Sequence, residues 1–306
     1  MTTTDQRRIE TLSTGVRPQR GLFSRITPQS RFYWIRLLKE NPSAVVSFGF
    51  IVLVIIASIV GPMLSPYDPF RYDPIARLKS PNADYWLGTN QLGQDILLRA
   101  VYGARTSLLV GVTVMLISGL IGSVIGLISG YYKRLDTPIM RVMDGIMAFP
   151  SILLAIAIMA SLGPAIENVI GALGVVYMPI IARLVRGQTL ALKNYAYVEA
   201  ARSIGQSDFK ILSRHIFMNS LSPLIVQCTF VIAYAIIAEA SLSFLGAGVP
   251  PHIPTWGNML RDGQEVLTIA WWVSVVPGML LFLTVLAMNL IGDGLRDALD
   301  TKSRTR

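Results

Sequence analysis

Long uncharged apolar runs decide most of what this chain can fold into. They cover residues 44–64, 106–132, 145–166 and 266–292. A helix needs roughly 20 apolar residues to cross about 30 Å of hydrocarbon. A fifth run, 215–238, continues past the single acid Glu239 to about Leu245. A sixth, 168–182, has only 15 residues, but Arg183 and Arg186 lie where their long side chains can snorkel from its end. The expectation is an all-α polytopic membrane protein with six transmembrane helices. The runs are continuous, without the period-two alternation of a membrane β-barrel. The first begins more than 40 residues in, too far for a cleaved signal peptide, so it is expected to stay as a span.

The composition agrees: 52% hydrophobic and 15% charged over 306 residues, against about a quarter charged in soluble domains. The net charge of +9 raises the question of nucleic acid, and its distribution answers it. With the N-terminus inside, the inner segments hold 21 Lys and Arg and the outer ones 6. That is the positive-inside pattern, with both termini cytoplasmic, so the partner is the lipid bilayer and not nucleic acid. A lone cysteine, Cys228, allows no intramolecular disulfide and no cysteine metal cluster. His215 and His252 fall on opposite sides of the membrane in this topology and cannot share a site.

Residues 1–43 read as a basic cytoplasmic tail with an amphipathic stretch near 32–38, and 44–64 as the first span. An extracytoplasmic segment, 65–105, follows. Its prolines predict loop, Thr89–Gln94 a turn between Gly88 and Gly93, and Asp95 the cap of an amphipathic helix along the membrane face. Residues 106–293 form the core, with spans near 106–132, 145–163, 168–187, 220–245 and 267–292, and 294–306 a cytoplasmic tail. Gly122, Gly126 and Gly130, each four apart, line one helix face and admit another helix closely, within the subunit or across a pair. Pro150 is expected to kink or start a helix, and Gly163-Pro164 to make a short outer turn. In the outer loop 248–266, Trp256-Gly257 suggests an interfacial turn. Trp271 and Trp272 read as an aromatic belt, and Gly292–Asp297 as a helix end.

The longest charged interruption of the core, 193–218, is helix-prone and broken by glycine. Glu199, Ala200, Ala201 and Arg202 favour a helix, with Glu199 and Arg202 one turn apart. Gly205 would end it in a left-handed cap, and Ser207 or Asp208 would start a second helix with Phe209, Ile211, Leu212 and Ile216 on its apolar side. Two short helices set at an angle make a rigid knob, fit either for a soluble partner or for nothing beyond the surface.

The pattern Glu199-Ala200-Ala201, three residues, then Gly205 resembles the cytoplasmic motif of binding-protein-dependent ABC permeases. The stretches YWLGTNQLGQDILLRAVYGARTSLLVG, DGIMAFPSILLAIAI, ARLVRGQTLALKNYAYVEAARSIG and AEASLSFLGAGVPPHIPTWGNML are similar to the C-type permease of the oligopeptide/dipeptide/nickel branch. This likeness covers about residue 40 to the tail. It implies one N-terminal span plus a five-helix type I permease core, a homologous second permease, two ATP-binding subunits and an extracytoplasmic binding protein. It also implies that Glu199, Ala200, Ala201, Gly205 and Asp208 couple to the ATPases. The chain has no G-x-x-x-x-G-K-[ST], so ATP and Mg are expected in the partners and no cofactor here. Three features depart from the family: Phe217-Met218 stands in place of Leu-Pro, implying a straighter exit from the knob. Asn90 and Gln94 stand where Asp and Arg are common, so an outer charge pair is missing.

Glu239 is the one acid inside a predicted span, a candidate for gate or path, or for a structural hydrogen bond. An ion-driven transporter is disfavoured by the nearly uncharged spans and the lack of visible inverted repeats. An intramembrane enzyme is disfavoured because no Ser–His, H-E-x-x-H or paired-Asp arrangement is present. Among solutes of the resembling family (peptides, glutathione, nickel, sugars), the uncharged lining points to peptides rather than a metal.

Overall fold

The computed structural model describes residues 41–64 and 72–299. The amphipathic stretch expected near 32–38 lies outside the described residues. Nine helices carry the described chain: α1 Pro42–Leu64, α2 Ile96–Tyr131, α3 Lys133–Met147, α4 Ser151–Leu162, α5 Ile166–Leu192, α6 Ala196–Ser203, α7 Asp208–Phe244, α8 Trp256–Gln264 and α9 Trp272–Leu299. Among the described residues the only β pairing is a single bridge, Thr89 to Asp95. Such an all-helical solution is what lipid demands, because a helix satisfies its own backbone hydrogen bonds.

Five helices, α1, α2, α5, α7 and α9, are long and apolar enough to cross a membrane; the pair α3 and α4, bent by 90°, makes a sixth if counted as one span. Within the expected span over 145–163, Pro150 starts a helix, as its lack of an N–H predicts, but the chain before it is not part of a straight span. Residues 133–147 form an amphipathic helix of their own, and Ala148-Phe149-Pro150 breaks the chain before the 12-residue α4. Pro150 has no N–H to give and sits at the N-cap of α4. Nor does a separate helix precede the second span: Asp95 accepts from the Leu98 N–H and caps a continuous α2 of 36 residues. At about 1.5 Å per residue that is about 54 Å, longer than the hydrocarbon layer. The closing Gly292–Asp297, expected to end a helix, instead continues α9 to Leu299.

Two apolar cores flank α2 and α7. One gathers Val110 and Val114 of α2, Met159 of α4, Leu173 and Ile181 of α5, and Leu242 of α7. The other gathers Ile51 of α1, Ile96 of α2, Ile236 of α7, Trp256 of α8 and Val273 of α9. The most extensive helix pairing is α2 against α5. A Cβ on Gly122 would lie 2.8 Å from the Ile181 Cβ, one on Gly126 2.5 Å from the Ala182 carbonyl oxygen, and one on Gly130 2.6 Å from the Thr189 Cβ. The stripe therefore packs against a helix of the same chain.

At the end opposite the 193–218 segment, residues 72–95 are fastened over the helix ends. The Thr89 hydroxyl donates to the Ala76 carbonyl and accepts from the Lys79 N–H at 2.9 Å. Trp272 is buried, with its indole N–H on the Thr89 carbonyl at 3.2 Å, and Trp256 is buried with its N–H on the Ala100 carbonyl at 3.1 Å. Both had been expected at the membrane interface; each found a carbonyl and became core, leaving Trp271 exposed. The missing outer charge pair is replaced by neutral chemistry. Asn90 Nδ2 donates to Gln94 Oε1 at 2.9 Å, and Gln94 Oε1 also accepts from Arg99 at 2.7 Å, all three side chains being buried. Arg99 also approaches Asp262 at 3.7 Å. Burial raises the Asp262 carboxyl pKa from its ordinary value, and the Arg99 charge opposes the rise.

Because the Gly126 face meets backbone, Gly126→Val should destabilise the protein by about 1–3 kcal/mol, as overpacking does. Gly119→Ala should be nearly silent, since its Cβ would meet nothing closer than the Cys228 sulfur at 3.5 Å. Thermal unfolding in detergent reads both; equal midpoints for the two variants would remove the close contact from the account.

Candidate coupling surface

The segment between α5 and α7 has its own small core. Val198 and Ala201 of α6 pack with Leu192 at the end of α5 and with Ile211 and Ile216 of α7. Ile211 and Ile216 are five residues apart, which on an α-helix would put them about 140° apart. Residues Ile211–Phe217 instead wind as a π-helix, whose wider turn keeps both on the buried side. The helix then runs unbroken through Phe217-Met218 to Phe244. The expected pair of short helices is thus one short helix, α6, and the overhanging end of a membrane helix.

Gly205 closes α6 with φ +75°, in the left-handed region, and its N–H donates to the Arg202 carbonyl at 2.9 Å. No side-chain cap bond forms at Ser207. The Gln206 side chain and His215 Nε2 lie 2.7 Å apart, tying the turn to α7. Glu199, Ala200 and Gly205 face solvent, whereas Ala201 turns into the small core. Arg202, expected to pair with Glu199, donates to the Tyr131 hydroxyl at 3.3 Å. Asp208 faces the end of α2: its carboxylate accepts from Tyr131 at 2.6 Å and from Tyr132 at 3.2 Å.

The tip was misjudged from sequence. Phe209, placed on the buried side of the second helix, is 81% exposed, as is Ile204 on the other side of Gly205. Two large apolar side chains are thus exposed on either side of the glycine turn, with Glu199 and Lys210 near in sequence. A count of helical positions back from Ile216 assumes α-helical winding, and the π turn at Ile211–Phe217 spoils that count for Phe209.

α5 is held to α3 by two ion pairs beside this end. Arg186 grips Asp136 with two hydrogen bonds, at 2.5 and 2.7 Å, and Arg183 meets Asp144 at 2.8 Å. The two arginines placed at the end of the sixth run thus also join α5 to α3. Glu239 is 0% exposed near the other end of α7, accepting from Ser107 of α2 and Ser243, each at 2.8 Å. Within this chain its carboxylate reaches no open surface.

The fold is thus a bundle of membrane-length helices carrying, at one end, a loop with its own apolar core and two exposed apolar side chains. The chain belongs to the family described as the binding-protein-dependent transport system inner membrane component, which matches residues 122–305. Residues 32–81 match the N-terminal TM domain of oligopeptide transport permease C. A putative peptide transport system permease protein of Brucella abortus biovar 1 is 44% identical over 87% of this chain and 90% of its own length. The glutathione transport system permease protein of Pectobacterium atrosepticum is 44% identical over 90% of this chain and 92% of its own. In fold, an amino acid ABC transporter solved with histidines superposes at a TM-score of 0.52, with 15% identity, over 65% of this chain and 93% of that one. The protein is accordingly an ABC permease of the bacterial inner membrane.

A Cβ on Gly205 would meet nothing within 4 Å, so any substitution there acts through the backbone alone. Gly205→Val should cost about 1–2 kcal/mol for a left-handed non-glycine residue and raise amide exchange across 196–217 about tenfold. Gly205→Asn, which tolerates that conformation, should show much less. Equal exchange in both variants and the wild type would mean the turn does not hold the loop.

Proposed function

We propose that this chain is a permease subunit of an ATP-driven peptide importer. It would form the path with a homologous second permease, on two ATP-binding subunits, and take substrate from an extracytoplasmic binding protein. The likeness to permeases named for peptide and glutathione transport, over nearly the whole of each chain, carries this reading. ATP and Mg would be held by the partners, with no cofactor on this chain. The lysine and arginine distribution supports cytoplasmic termini and a cytoplasmic 193–218 loop.

The loop's geometry supports the way force would enter. An ATPase closing on Ile204, Phe209 and Glu199 would load α6 and the start of α7 together. The small core under α6 keeps the tip from yielding, so the load would pass to α5 at Leu192 and along the backbone of α7. The bundle would then rock between inward- and outward-facing states as a body. A second reading keeps the machinery and changes the solute to glutathione, favoured by the relative of that name.

Affinity purification of the tagged chain from its native membrane, with mass spectrometry, tests the assembly. Two ATPase subunits and a second permease should co-purify. Glu199→Arg combined with Phe209→Asp should reduce the recovered ATPase at least tenfold while leaving the second permease. Recovery of the wild-type chain without an ATPase would overturn the importer reading; undiminished ATPase on the double variant would overturn the docking surface.

A further inference from the structure

Three consecutive residues at the end of α2 receive four polar contacts, at least one from each piece of the coupling loop. Lys193, at the end of α5, donates to the Gly130 carbonyl at 2.7 Å, near the helix end where carbonyls lack partners. Arg202 of α6 donates to the Tyr131 hydroxyl at 3.3 Å, with its guanidinium carbon 5.6 Å from the centre of that ring. Asp208, at the start of α7, accepts from Tyr131 at 2.6 Å and Tyr132 at 3.2 Å. The Tyr131 hydroxyl thus accepts from one side of the Gly205 turn and donates to the other.

Stability does not call for this network. The loop already has its apolar core, and Asp208 and Arg202 are exposed, where hydrogen bonds and ion pairs contribute little. What it adds is directional: it ties both arms of the knob to a helix that is not continuous with either. Apart from it, α2 meets the knob through Leu127 and the Tyr131 ring, which pack against its apolar core, and Gly205 lies between the arms.

We infer that Asp208, Tyr131, Tyr132 and Arg202 form a latch that makes α2 move as one body with the coupling loop. These are positioning residues, acting through α2. The inference rests on the importer reading, since it needs a load on the loop. Through the glycine stripe α2 is locked to α5, so the latch closes a mechanical ring from the loop through α2 and α5 back to the loop.

The test uses the whole complex with its own ATPases in nanodiscs, in a Cys228→Ser background. Spin labels are placed at Ser203→Cys on α6 and Leu120→Cys on α2, both exposed. With the latch intact, the inter-label distance distribution should be the same without nucleotide and after trapping with ATP, Mg and vanadate. Adding Asp208→Ala should leave the nucleotide-free distribution narrow and at least double its width in the trapped state. Asp208→Glu, which keeps the carboxylate, should restore most of the narrowness, and Tyr131→Phe should behave like Asp208→Ala. A distribution that shifts on trapping in the intact protein overturns the latch, as does a Asp208→Ala complex indistinguishable from it. Equal broadening with and without nucleotide assigns Asp208 to folding only and likewise overturns it. A complex that carries no ATPase and traps no nucleotide fails at the importer reading, and the latch falls with it.

Discussion

The approach of α2 to α5 sets the geometry of the rest. In lipid no hydrophobic force drives two apolar helices together, so they associate by close packing and hydrogen bonds. Gly122, Gly126 and Gly130 let α2 come so near that a methyl group at any of them would overlap α5. The last glycine does two things at once. Its bare Cα lies against Thr189, and its carbonyl accepts from Lys193 four residues further along. A larger residue at 130 would push away the helix that supplies the Lys193 contact. Beside this contact, Arg183 and Arg186 reach α3, so α5 is held along its last turns by glycine packing and by ion pairs together.

Features that depend on local pattern were legible in the sequence. The long runs gave most spans, Asp95 and Gly205 announced a helix start and a helix end, and a period of four gave the glycine face. Features that depend on partners distant in the chain were not. Asp136 and Asp144 look like solvated charges between two spans until Arg186 and Arg183, about 40 to 50 residues later, are brought to them. The uncharged run at 145–166 has the length of a span, yet its first residues finish α3 and the 90° bend falls inside it. Residue type also misled at Trp256 and Trp272. Tryptophan favours interfaces because its N–H needs an acceptor, and here backbone carbonyls in the core served instead.

The candidate site was legible in outline and wrong in its facing. Glu199, Ala200 and Gly205 do lie on the loop's surface, while Ala201 is part of its core and Asp208 is engaged by two tyrosines. Local periodicity could not separate these roles, because the π turn after Lys210 changes which residues share a side. Three buried polar side chains elsewhere find their partners within the chain. Glu239 is met by hydroxyls, Arg99 by the Gln94 amide with Asp262 beyond, and Asn90 by Gln94 and by backbone N–H groups. Replacing a charged pair with the Asn90–Gln94 amide pair keeps the hydrogen bond and avoids the cost of desolvating two charges.

The loop combines a stiff base with a tip whose polar ties are exposed. Its apolar core is enclosed by α5, α6 and the π turn, so bending at Gly205 would open Val198 and Ile211 to water. Exposing a fully buried valine or isoleucine costs about 1.5–3 kcal/mol each, more than an exposed hydrogen bond contributes. The core therefore resists bending, while the tyrosine contacts resist sliding of the knob past the end of α2. Sliding would break these hydrogen bonds and also shear the contact of the core with Leu127 and Tyr131 of α2. A load parallel to the membrane at Phe209 is a sliding load, and the polar contacts that oppose it converge on residues 130–132.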